Sequence, residues 1–486
     1  MIEKLRNSYR DMVVYKDLKT SNFLSGLSVP SFMRDWLLKK FADEEGNFQD
    51  KELLEFIKKN LPRKEDWKAI KNRVVIEYEQ VKFLAKILID IDTEKQQVSF
   101  SLPDFGLSKN KTIIELHVWD KCKHDLLKGE TWGVVELGYI PPIEEDKTKG
   151  KIKLISFKPF CPYSIDIEYF KEARQDFTIN EWLDVLLGAV DYNANGYQNE
   201  EEKLTMLSRL LPFVEKNLNM VELAPKGTGK SYLFGNVSRF GWLVSGGKIS
   251  RAKMFYDLNT RAEGLVTIYD FVTLDEIQTI KFTDKEEMES ALKGYMQKGS
   301  VTIGNYEVIA DCGIMLCGNI KKEIMDEDGY MNMFTELPPI FHESAFIERF
   351  HGFIKGWDIP RMNDDLKISG WALNSEYFCM ILHDLREDIS YRATVDKLIE
   401  VPKGADTRNT EAIKKLTTAY LKLLFPHVKQ PLDITEREFK VYCLNRAKKM
   451  RETILLQLRL LDKEYQEIHI PKLKIRKELT KSESQI

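Results

Sequence analysis

The stretch VELAPKGTGKSYLFG, residues 221–235, constrains the fold more than any other part of this sequence. It follows the pattern of a phosphate-binding loop, G-x-x-x-x-G-K-[ST], except that Ala224 stands in place of the first glycine. That glycine serves the tight exit from the preceding strand. Alanine can take the position if its φ stays negative, and Pro225 biases residue 224 toward an extended conformation. We therefore expect the loop to bind phosphates despite the departure.

Each position of the loop has a defined task. Gly227 and Gly229 let the backbone turn so that successive N–H groups face the phosphates, and Lys230 places a charge on the β and γ oxygens. Ser231 offers its hydroxyl to Mg²⁺. The expected cofactors are ATP and Mg²⁺. The predicted nucleotide-binding residues are Ala224, Pro225, Lys226, Gly227, Thr228, Gly229, Lys230, Ser231 and Tyr232.

Two adjacent carboxylates follow a second apolar segment, in LVTIYDFVTLDEIQ. The segment from Phe271 to Leu274 predicts a strand that ends in Asp275 and Glu276, at the edge of a sheet where ligands bind. Asp275 would hold Mg²⁺ through water, and Glu276 would act as the general base on the attacking water. In isolation such a pair is usually only a turn, but its position after this loop favours the catalytic interpretation.

Two further residues complete the predicted site. Asn319 ends the apolar strand in CGIMLCGNI, where its amide could orient the water or simply begin a turn. Arg349, in FIERFHGFIKGW, lies downstream of that strand, where AAA+ rings place an arginine that acts on the neighbouring subunit's nucleotide. Alternatively, Arg349 pairs with Glu348 or Glu343 on the surface. The strand ends together predict a P-loop ATPase of the AAA+ kind.

Composition limits the surroundings of such an enzyme. The 73 Lys and Arg residues against 76 Asp and Glu residues give a net charge of −3, so no global field attracts nucleic acid or an anionic membrane. Any DNA contact must come from local loops. The six cysteines form no C-x-x-C pair, and no run approaches the ~18 apolar residues of a membrane helix. We expect a cytoplasmic protein with no membrane partner.

The chain is predicted to be an α/β protein with five regions. These are an N-terminal helical region at 1–95, a β-rich and DNA-binding module at 96–190, the AAA+ core at 191–360, a helical lid or C-terminal domain at 361–470 and a basic tail at 471–486. VKFLAKILIDIDTE is assigned to a helix, and TIIELHVW to a strand. A helix over INEWLDVLL has Thr178 or Asn180 as its candidate cap.

Long strings with no ATPase duty carry a family resemblance over roughly residues 105–465. They include LLKGETWGVVELGYIPP, FCPYSIDIEYFKEARQDFTINEWLDVLL, LVSGGKISRAKMFYDLNTRAEGLV, YMQKGSVTIGNYEVIADCGIMLCGNI and HESAFIERFHGFIKGWDIPRM. The chain resembles the Lon-related BrxL family of BREX phage-defence systems. The resemblance implies an N-terminal domain that engages double-stranded DNA, a motor similar to MCM helicases, a hexamer or double hexamer, and other BREX proteins as partners.

The resemblance also implies roles for individual residues. ADTRNTEAIKKL is similar to the start of a lid helix that carries the second sensor arginine, which would be Arg408, with Arg446 and Arg451 as weaker alternatives. GSVTIGNYEVIADCG resembles a hairpin that projects into the pore of the ring. This hairpin contains no Lys or Arg between Gly299 and Cys312. The candidate DNA contacts are therefore Lys298, Thr302, Asn305 and Tyr306, or the basic residues Lys248, Arg251, Lys253 and Arg261.

Three functions remain open from the sequence. The leading hypothesis is a ring ATPase that binds, and translocates on, double-stranded DNA. The alternatives are a Lon-like protein remodeller and a nucleotide-dependent assembly switch.

Longer family members continue into a Lon-protease-like domain, whereas only 17 residues run from Ile470 to Ile486 here. We expect a short form without peptidase activity.

Overall fold

The computed structural model describes residues 1–18, 31–41, 50–92, 96–126, 131–142, 149–160, 165–259, 261–325 and 331–482. Two compact units divide the chain. The larger comprises Met1–Asn22, Val29–Asp35 and Ile165–Ile486, and the smaller comprises Phe23–Ser28 and Trp36–Ser164. No helix in these described ranges is both long enough and apolar enough to cross a membrane.

The strands and helices are named in chain order. The strands are β1 (Val13–Asp17), β2 (Val81–Asp92), β3 (Gln97–Ser101), β4 (Thr112–Ile114), β5 (Thr131–Ile140), β6 (Lys151–Pro159), β7 (Met220–Ala224), β8 (Gly241–Ser245), β9 (Lys248–Ile249), β10 (Tyr256–Asp257), β11 (Ala262–Glu263), β12 (Phe271–Asp275), β13 (Lys281–Phe282), β14 (Ser300–Ile303), β15 (Tyr306–Ile309), β16 (Gly313–Asn319), β17 (Gly352–Lys355), β18 (Ser369–Leu373), β19 (Ile399–Glu400) and β20 (Lys474–Ile475). The α-helices are α1 (Ile2–Tyr9), α2 (Ser31–Phe41), α3 (Asp50–Asn60), α4 (Trp67–Val75), α5 (Leu116–Leu126), α6 (Ile167–Arg174), α7 (Ile179–Ala189), α8 (Glu200–Leu207), α9 (Leu211–Val214), α10 (Lys230–Asn236), α11 (Arg251–Met254), α12 (Leu265–Ile268), α13 (Lys285–Lys298), α14 (Ser344–Ile347), α15 (Ser375–Glu387), α16 (Ser390–Leu398), α17 (Thr407–Leu424), α18 (Glu436–Glu438) and α19 (Asn445–Leu461).

The smaller unit is built on a closed barrel with the strand order β2-β3-β4-β6-β5. Strand β4 pairs with β6 in parallel, while the other neighbours are antiparallel. Along β2, Phe83, Ala85 and Ile87 are buried in the barrel core at every second position, which is the period of a strand. The unit is therefore a five-stranded barrel with a single apolar interior.

Two predicted elements in this unit are wrong. VKFLAKILIDID, assigned to a helix, forms the long strand β2, because its pairing with both β3 and β5 buries the alternate side chains. TIIELHVW, assigned to a strand, is a strand only over β4 and then continues as helix α5. The predicted helical region at 1–95 thus contains a major strand of the barrel.

The larger unit has a central parallel sheet with the order β17-β7-β16-β12-β8. Every residue of β7 and of β12 is buried, as expected for strands covered by helices on both faces. Because all five strands run in parallel, their carboxyl ends form one edge of the sheet and their amino ends form the opposite edge. The predicted α/β architecture is confirmed.

The C-terminal part of the chain is helical, as predicted. Helix α17 packs against α19 and against the π-helical turn Phe439–Leu444 that precedes α19.

Thr178 caps helix α7. Its hydroxyl accepts a hydrogen bond from the Glu181 amide, and the Glu181 carboxylate accepts one from the Thr178 amide. Of the two candidate caps, Thr178 is the one used.

The N-terminal region was predicted to extend to residue 95 as one piece. In the structure, the described residues up to Asp35 belong instead to the larger unit. Strand β1 pairs antiparallel with β18. The ammonium of Lys16, fully buried, lies 3.0 Å from Asp191 and 3.2 Å from Asp35, and Arg34 lies 2.8 Å from Asp191. We call these four residues the charge cluster. Its two cations and two carboxylates balance, which makes their burial tolerable.

Candidate nucleotide-binding site

The phosphate loop leaves the sheet at the carboxyl end of β7 and enters helix α10 at Lys230. Gly227 has a φ of 83° and Gly229 a φ of 80°, values that glycine adopts readily and other residues rarely. Gly229 is the cap of α10, so the amino end of this helix faces the loop. The loop therefore has the backbone form that a phosphate group requires.

Ala224, the departure from the loop pattern, is the last residue of β7 and is fully buried. It pairs in register with Asn319 of β16, and its carbonyl accepts a hydrogen bond from the Ile320 amide at 3.2 Å. Its φ is not among the positive values of the described residues. Extended backbone at this position has no need of glycine.

The predicted magnesium ligands lie together. The Ser231 hydroxyl donates to Oδ2 of Asp275 at 2.5 Å, and Oδ1 of Asp275 accepts from the Glu276 amide at 2.9 Å. Asp275 is the last residue of β12 and is only 3% exposed. A hydroxyl and a carboxylate are oxygen donors of the kind that Mg²⁺ prefers, so both residues fit the ion.

Glu276 lies just beyond the strand, exposed to solvent, with a φ of 50°. This left-handed conformation is costly for a residue other than glycine, and such strain is found most often at functional sites. The Thr279 hydroxyl holds the Glu276 carbonyl at 2.9 Å. The backbone is thereby fixed while the carboxylate remains free to reach a ligand.

Asn319 ends β16 between the strands that carry the loop and the carboxylates. The side-chain amide of Gln278 donates a hydrogen bond to the main-chain carbonyl of Asn319 at 2.7 Å. Gln278 could not be identified from the sequence, because a glutamine two positions after Glu276 matches no motif. The main chain of Asn319 is thus held at the carboxyl edge, beside Ala224.

Four groups that no motif indicated contact carbonyls of the phosphate loop, and one of them, the Tyr192 hydroxyl, donates to the Gly229 carbonyl at 3.3 Å. Arg209 donates to the Thr228 carbonyl at 2.7 Å, Arg361 donates through Nε to the Lys226 carbonyl at 3.2 Å, and the Met362 amide donates to the Gly227 carbonyl at 2.8 Å. Arg361 and Met362 belong to a string that carries the family resemblance, whereas nothing in the single sequence singles out Arg209. Together these groups hold carbonyls so that the loop amides can face outward.

Tyr232, predicted to bind the nucleotide, directs its hydroxyl elsewhere. The hydroxyl donates to Asp191 at 2.7 Å and accepts from Arg34 at 2.9 Å. Burial alone would raise the pKa of Asp191, but Arg34 and Lys16 reverse this and hold it below its ordinary value. Any nucleotide contact by Tyr232 therefore falls to its main chain, while its side chain ties helix α10 to the charge cluster.

The two predicted arginines lie at the opposite edge of the sheet. Arg349 precedes β17, whose first residue, Gly352, pairs with Met220 at the amino end of β7. A five-residue strand spans roughly 13–17 Å, so the body of the sheet separates Arg349 from the loop at the carboxyl end of β7. Arg408 forms an ion pair with Glu348, next to Arg349. The structure does not bring either arginine to the phosphate loop of the same chain.

Glu348 contacts both arginines. Its carboxylate lies 3.5 Å from Arg349 and accepts a hydrogen bond from the Tyr465 hydroxyl at 2.5 Å. Burial lowers the pKa of Arg349, and Glu348 partly opposes that effect. Arg349 also donates to Gln297 at 2.9 Å. Arg349 and Glu348 therefore form the alternative pair, but it is mostly buried rather than on the surface, with side chains 15% and 8% exposed.

The weaker alternatives to Arg408 have structural partners. Arg451 is buried and donates to Asn409 at 2.7 Å and to the Phe350 carbonyl. Arg446 pairs with Glu201 at 2.7 Å. Arg408 also has a partner, Glu348, but its side chain is half exposed.

The candidate pore residues lie on hairpin β14–β15 and after helix α10. Tyr306 stacks on Tyr256 of hairpin β10–β11, with ring centroids 4.0 Å apart. Arg251 pairs with Glu287 at 2.6 Å. The remaining candidates are exposed: Lys248, Lys253, Arg261, Lys298, Thr302 and Asn305.

Comparisons with known proteins cover nearly the whole chain. The family model described as Lon-like protease BrxL-like, ATPase domain, matches residues 152–471, and the BREX system Lon protease-like protein BrxL N-terminal model matches residues 7–139. The chain is 27% identical over 459 residues to the Lon-like protease BrxL of Escherichia coli O9:H4 (strain HS), covering 94% of this chain and 64% of that protein. It is 30% identical over 431 residues to the Lon-like protease BrxL of Bacillus cereus (strain H3081.97), covering 87% of this chain and 62% of that protein. The chain thus spans less than two thirds of the length of either relative.

Proposed function

The chain belongs to the BrxL family, as its sequence predicted, and on this premise we propose that it is an AAA+ ring ATPase that acts on double-stranded DNA in BREX-type phage defence. One observation carries the ATPase part of the proposal. The loop, Ser231, Asp275, Glu276 and Asn319 converge at one edge of the parallel sheet. This convergence is what a nucleoside triphosphate and its metal require.

Each residue of the site has a step to perform. Mg²⁺ bound with ATP would neutralise charge on the β and γ phosphates. Lys230 and the loop amides would bind the same phosphates, while Ser231 and Asp275 would hold the ion. Glu276 would take a proton from the attacking water, and Asn319 would orient that water.

The order of the sheet supports the AAA+ assignment. Strand β16, which carries Asn319, lies between the loop strand β7 and the carboxylate strand β12. Three active-site strand ends are thereby adjacent. The helices from α15 to α19 would form the lid of the same ATPase.

The position of the arginines supports the proposal of a ring. If Arg349 and Arg408 act on a nucleotide, that nucleotide must belong to another copy, because the sheet separates them from the loop of their own chain. Such a site is complete only between two subunits. This supports the predicted homo-oligomer, a hexamer or double hexamer.

Two features support DNA as the substrate. The five-stranded barrel is of the kind found in OB folds, which bind oligonucleotides on one face and through their loops. Lys248, Lys253 and Lys298 are exposed and could contact phosphates. The proposal includes a cytoplasmic location and other BREX proteins as partners.

A specific observation favours a second candidate, the remodelling of proteins. Tyr306, Ile309 and Leu258 are 42%, 73% and 47% exposed on or beside the two hairpins. The apolar side chains there suit the grip on a polypeptide better than contact with phosphates.

The two candidates are separated by ATP turnover in the presence of either polymer. We expect duplex DNA to stimulate hydrolysis by the full chain and an unfolded protein to leave it unchanged, with K230A as the inactive control. Stimulation by unfolded protein alone would support remodelling. A chain that neither hydrolyses ATP nor forms rings in particle images would contradict the proposal.

A further inference from the structure

We propose that Arg209 is a positioning residue for the phosphate loop, which it fixes through Thr228 while it is itself fixed by Glu222. The inference rests on the proposed ATPase function, since it concerns the same site. No sequence pattern connects these residues, because Arg209 lies in a short helical turn, Ser208–Leu210, before β7.

The guanidinium of Arg209 is fully buried and bonded on two sides. Toward Glu222 its Nε atom lies 2.9 Å from Oε2 and its Nη2 atom 2.5 Å from Oε1, the paired geometry that best suits a carboxylate. Toward the loop its Nη1 donates to the Thr228 carbonyl at 2.7 Å, and its Nη2 donates to the Thr228 hydroxyl at 3.1 Å. Neither Arg209 nor Glu222 has any exposed side-chain surface.

The cation is retained in this buried setting. Burial would lower the pKa of Arg209, but the carboxylate of Glu222 more than offsets that effect and raises it above the ordinary value. The guanidinium therefore keeps its charge in the buried site. A charged donor makes a stronger hydrogen bond to a carbonyl than a neutral one does.

Stability alone is a weak reason for this pair. A buried ion pair is often matched or exceeded in stability by apolar side chains of similar volume. What apolar side chains cannot supply is a donor for Thr228. Thr228 lies between Gly227 and Gly229, which are both in the left-handed region. As glycines they have no side chain that would restrict their backbone.

The effect of the contact is on the loop before ATP arrives. With the Thr228 carbonyl turned inward to Arg209, the peptide groups on either side are fixed, and the loop need not lose that freedom when a phosphate binds. Removal of the donor should therefore weaken ATP binding. Turnover by the bound enzyme should change less, because Asp275 and Glu276 remain in place.

The test uses the full chain with both charges replaced, R209M/E222M. This change avoids an unpaired buried charge, so we expect the unfolding temperature to stay within a few degrees of the parent. Loss of one or two hydrogen bonds to the loop should weaken the binding of a fluorescent ATP analogue about 10-fold or more and raise KM, with kcat lowered less. R209K should give an intermediate result, because lysine cannot bond Glu222 and Thr228 in the same planar arrangement.

A control is the pair Lys422–Glu215 of the same unit, 3.0 Å apart, in which Lys422 is buried and Glu215 is 14% exposed. The variant K422M/E215M should bind the analogue as the parent does. Parent-like affinity in R209M/E222M, or an equal loss in both double variants, would overturn the inference. If R209M/E222M fails to fold, R209K decides the matter, and parent-like affinity there has the same consequence. Failure of the parent to hydrolyse ATP would count against the proposed function instead, since analogue binding is measured separately.

Discussion

A Cβ atom on Gly356 would lie within 3.0 Å of the Cβ atom of Ala224, closer than real Cβ atoms approach one another. Gly356 follows β17, the edge strand that pairs with β7. The methyl group that Ala224 adds to the loop pattern therefore occupies space that the glycine just after the neighbouring strand leaves open. The absent glycine of the loop is matched by a glycine elsewhere in the fold.

This relationship predicts that G356A destabilises the protein and weakens ATP binding. Overpacking of this kind costs about 1–3 kcal/mol. The double variant A224G/G356A should recover part of the loss, but not all of it, because the new methyl would still meet Glu222 at 2.8 Å and the Leu223 carbonyl at 2.9 Å. Thermal unfolding and analogue binding of both single variants and the double variant measure the coupling. Additive effects would show that the two positions are independent.

The variant E276Q should separate binding from hydrolysis. The amide cannot take a proton from water, so kcat should fall by roughly 10²- to 10⁴-fold while ATP affinity stays near the parent value. The control substitution is E307Q, because Glu307 is an exposed carboxylate on strand β15. We expect its basal turnover to be unchanged. Full turnover in E276Q would exclude Glu276 as the base. Defence against phage that persists in a turnover-deficient E276Q strain would favour the assembly switch over a motor.

Mixed subunits test whether Arg349 acts on a neighbour. K230A and R349A should each be inactive alone. In mixed rings the R349A subunit retains Lys230 and can receive Arg349 from an adjacent K230A subunit, so ATP turnover should reappear. Mixing K230A with E276Q is the control, because both changes affect the same copy of the site and no complete site can form. Absence of recovery in the first mixture would contradict the shared site.

Acid should destabilise the fold through His427. Burial, followed by the nearby cation Arg174, lowers the pKa of His427 from 6.5 to about 4. The unfolded chain therefore takes up this proton at a higher pH than the folded chain does, so stability is complete above pH 6.5 and falls as the pH drops toward 4. The slope has an upper limit of about 1.4 kcal/mol per pH unit.

The loss of stability is measured as the unfolding temperature between pH 8 and pH 4, for the parent chain and for two histidine variants. H427N should flatten the loss in the acid range, whereas H469N, at an exposed histidine, should not. Parallel curves for the parent and H427N would exclude this histidine as a source of the acid sensitivity.

The parts of the site that sequence could predict are those fixed by local backbone demands. Gly227 and Gly229 have the positive φ values that the loop pattern implies, and Asp275 ends its strand as the apolar run indicates. Strand β2 could not be identified in this way, because its apolar residues fit both the helical and the strand period. Its pairing with β3 and β5 decides the outcome.

Other groups escaped prediction because their partners are distant in sequence. Arg209 and Glu222 are 13 positions apart, and Arg408 meets Glu348 across a larger interval. Neither pair leaves a local pattern. The sequence also gives no indication that the described residues before position 36 pack with the ATPase core.

The charge cluster has a consequence for how this protein can be cut into working pieces. Lys16 and Arg34 precede the barrel in sequence, whereas their shared partner Asp191 follows it, so the barrel is an insertion within the ATPase unit. A fragment starting at residue 165 would leave Asp191 buried without either cation and deprive β18 of its partner β1. An excised motor would therefore have to include the N-terminal residues that carry Lys16, Arg34 and Asp35 together with the residues from 165 onward.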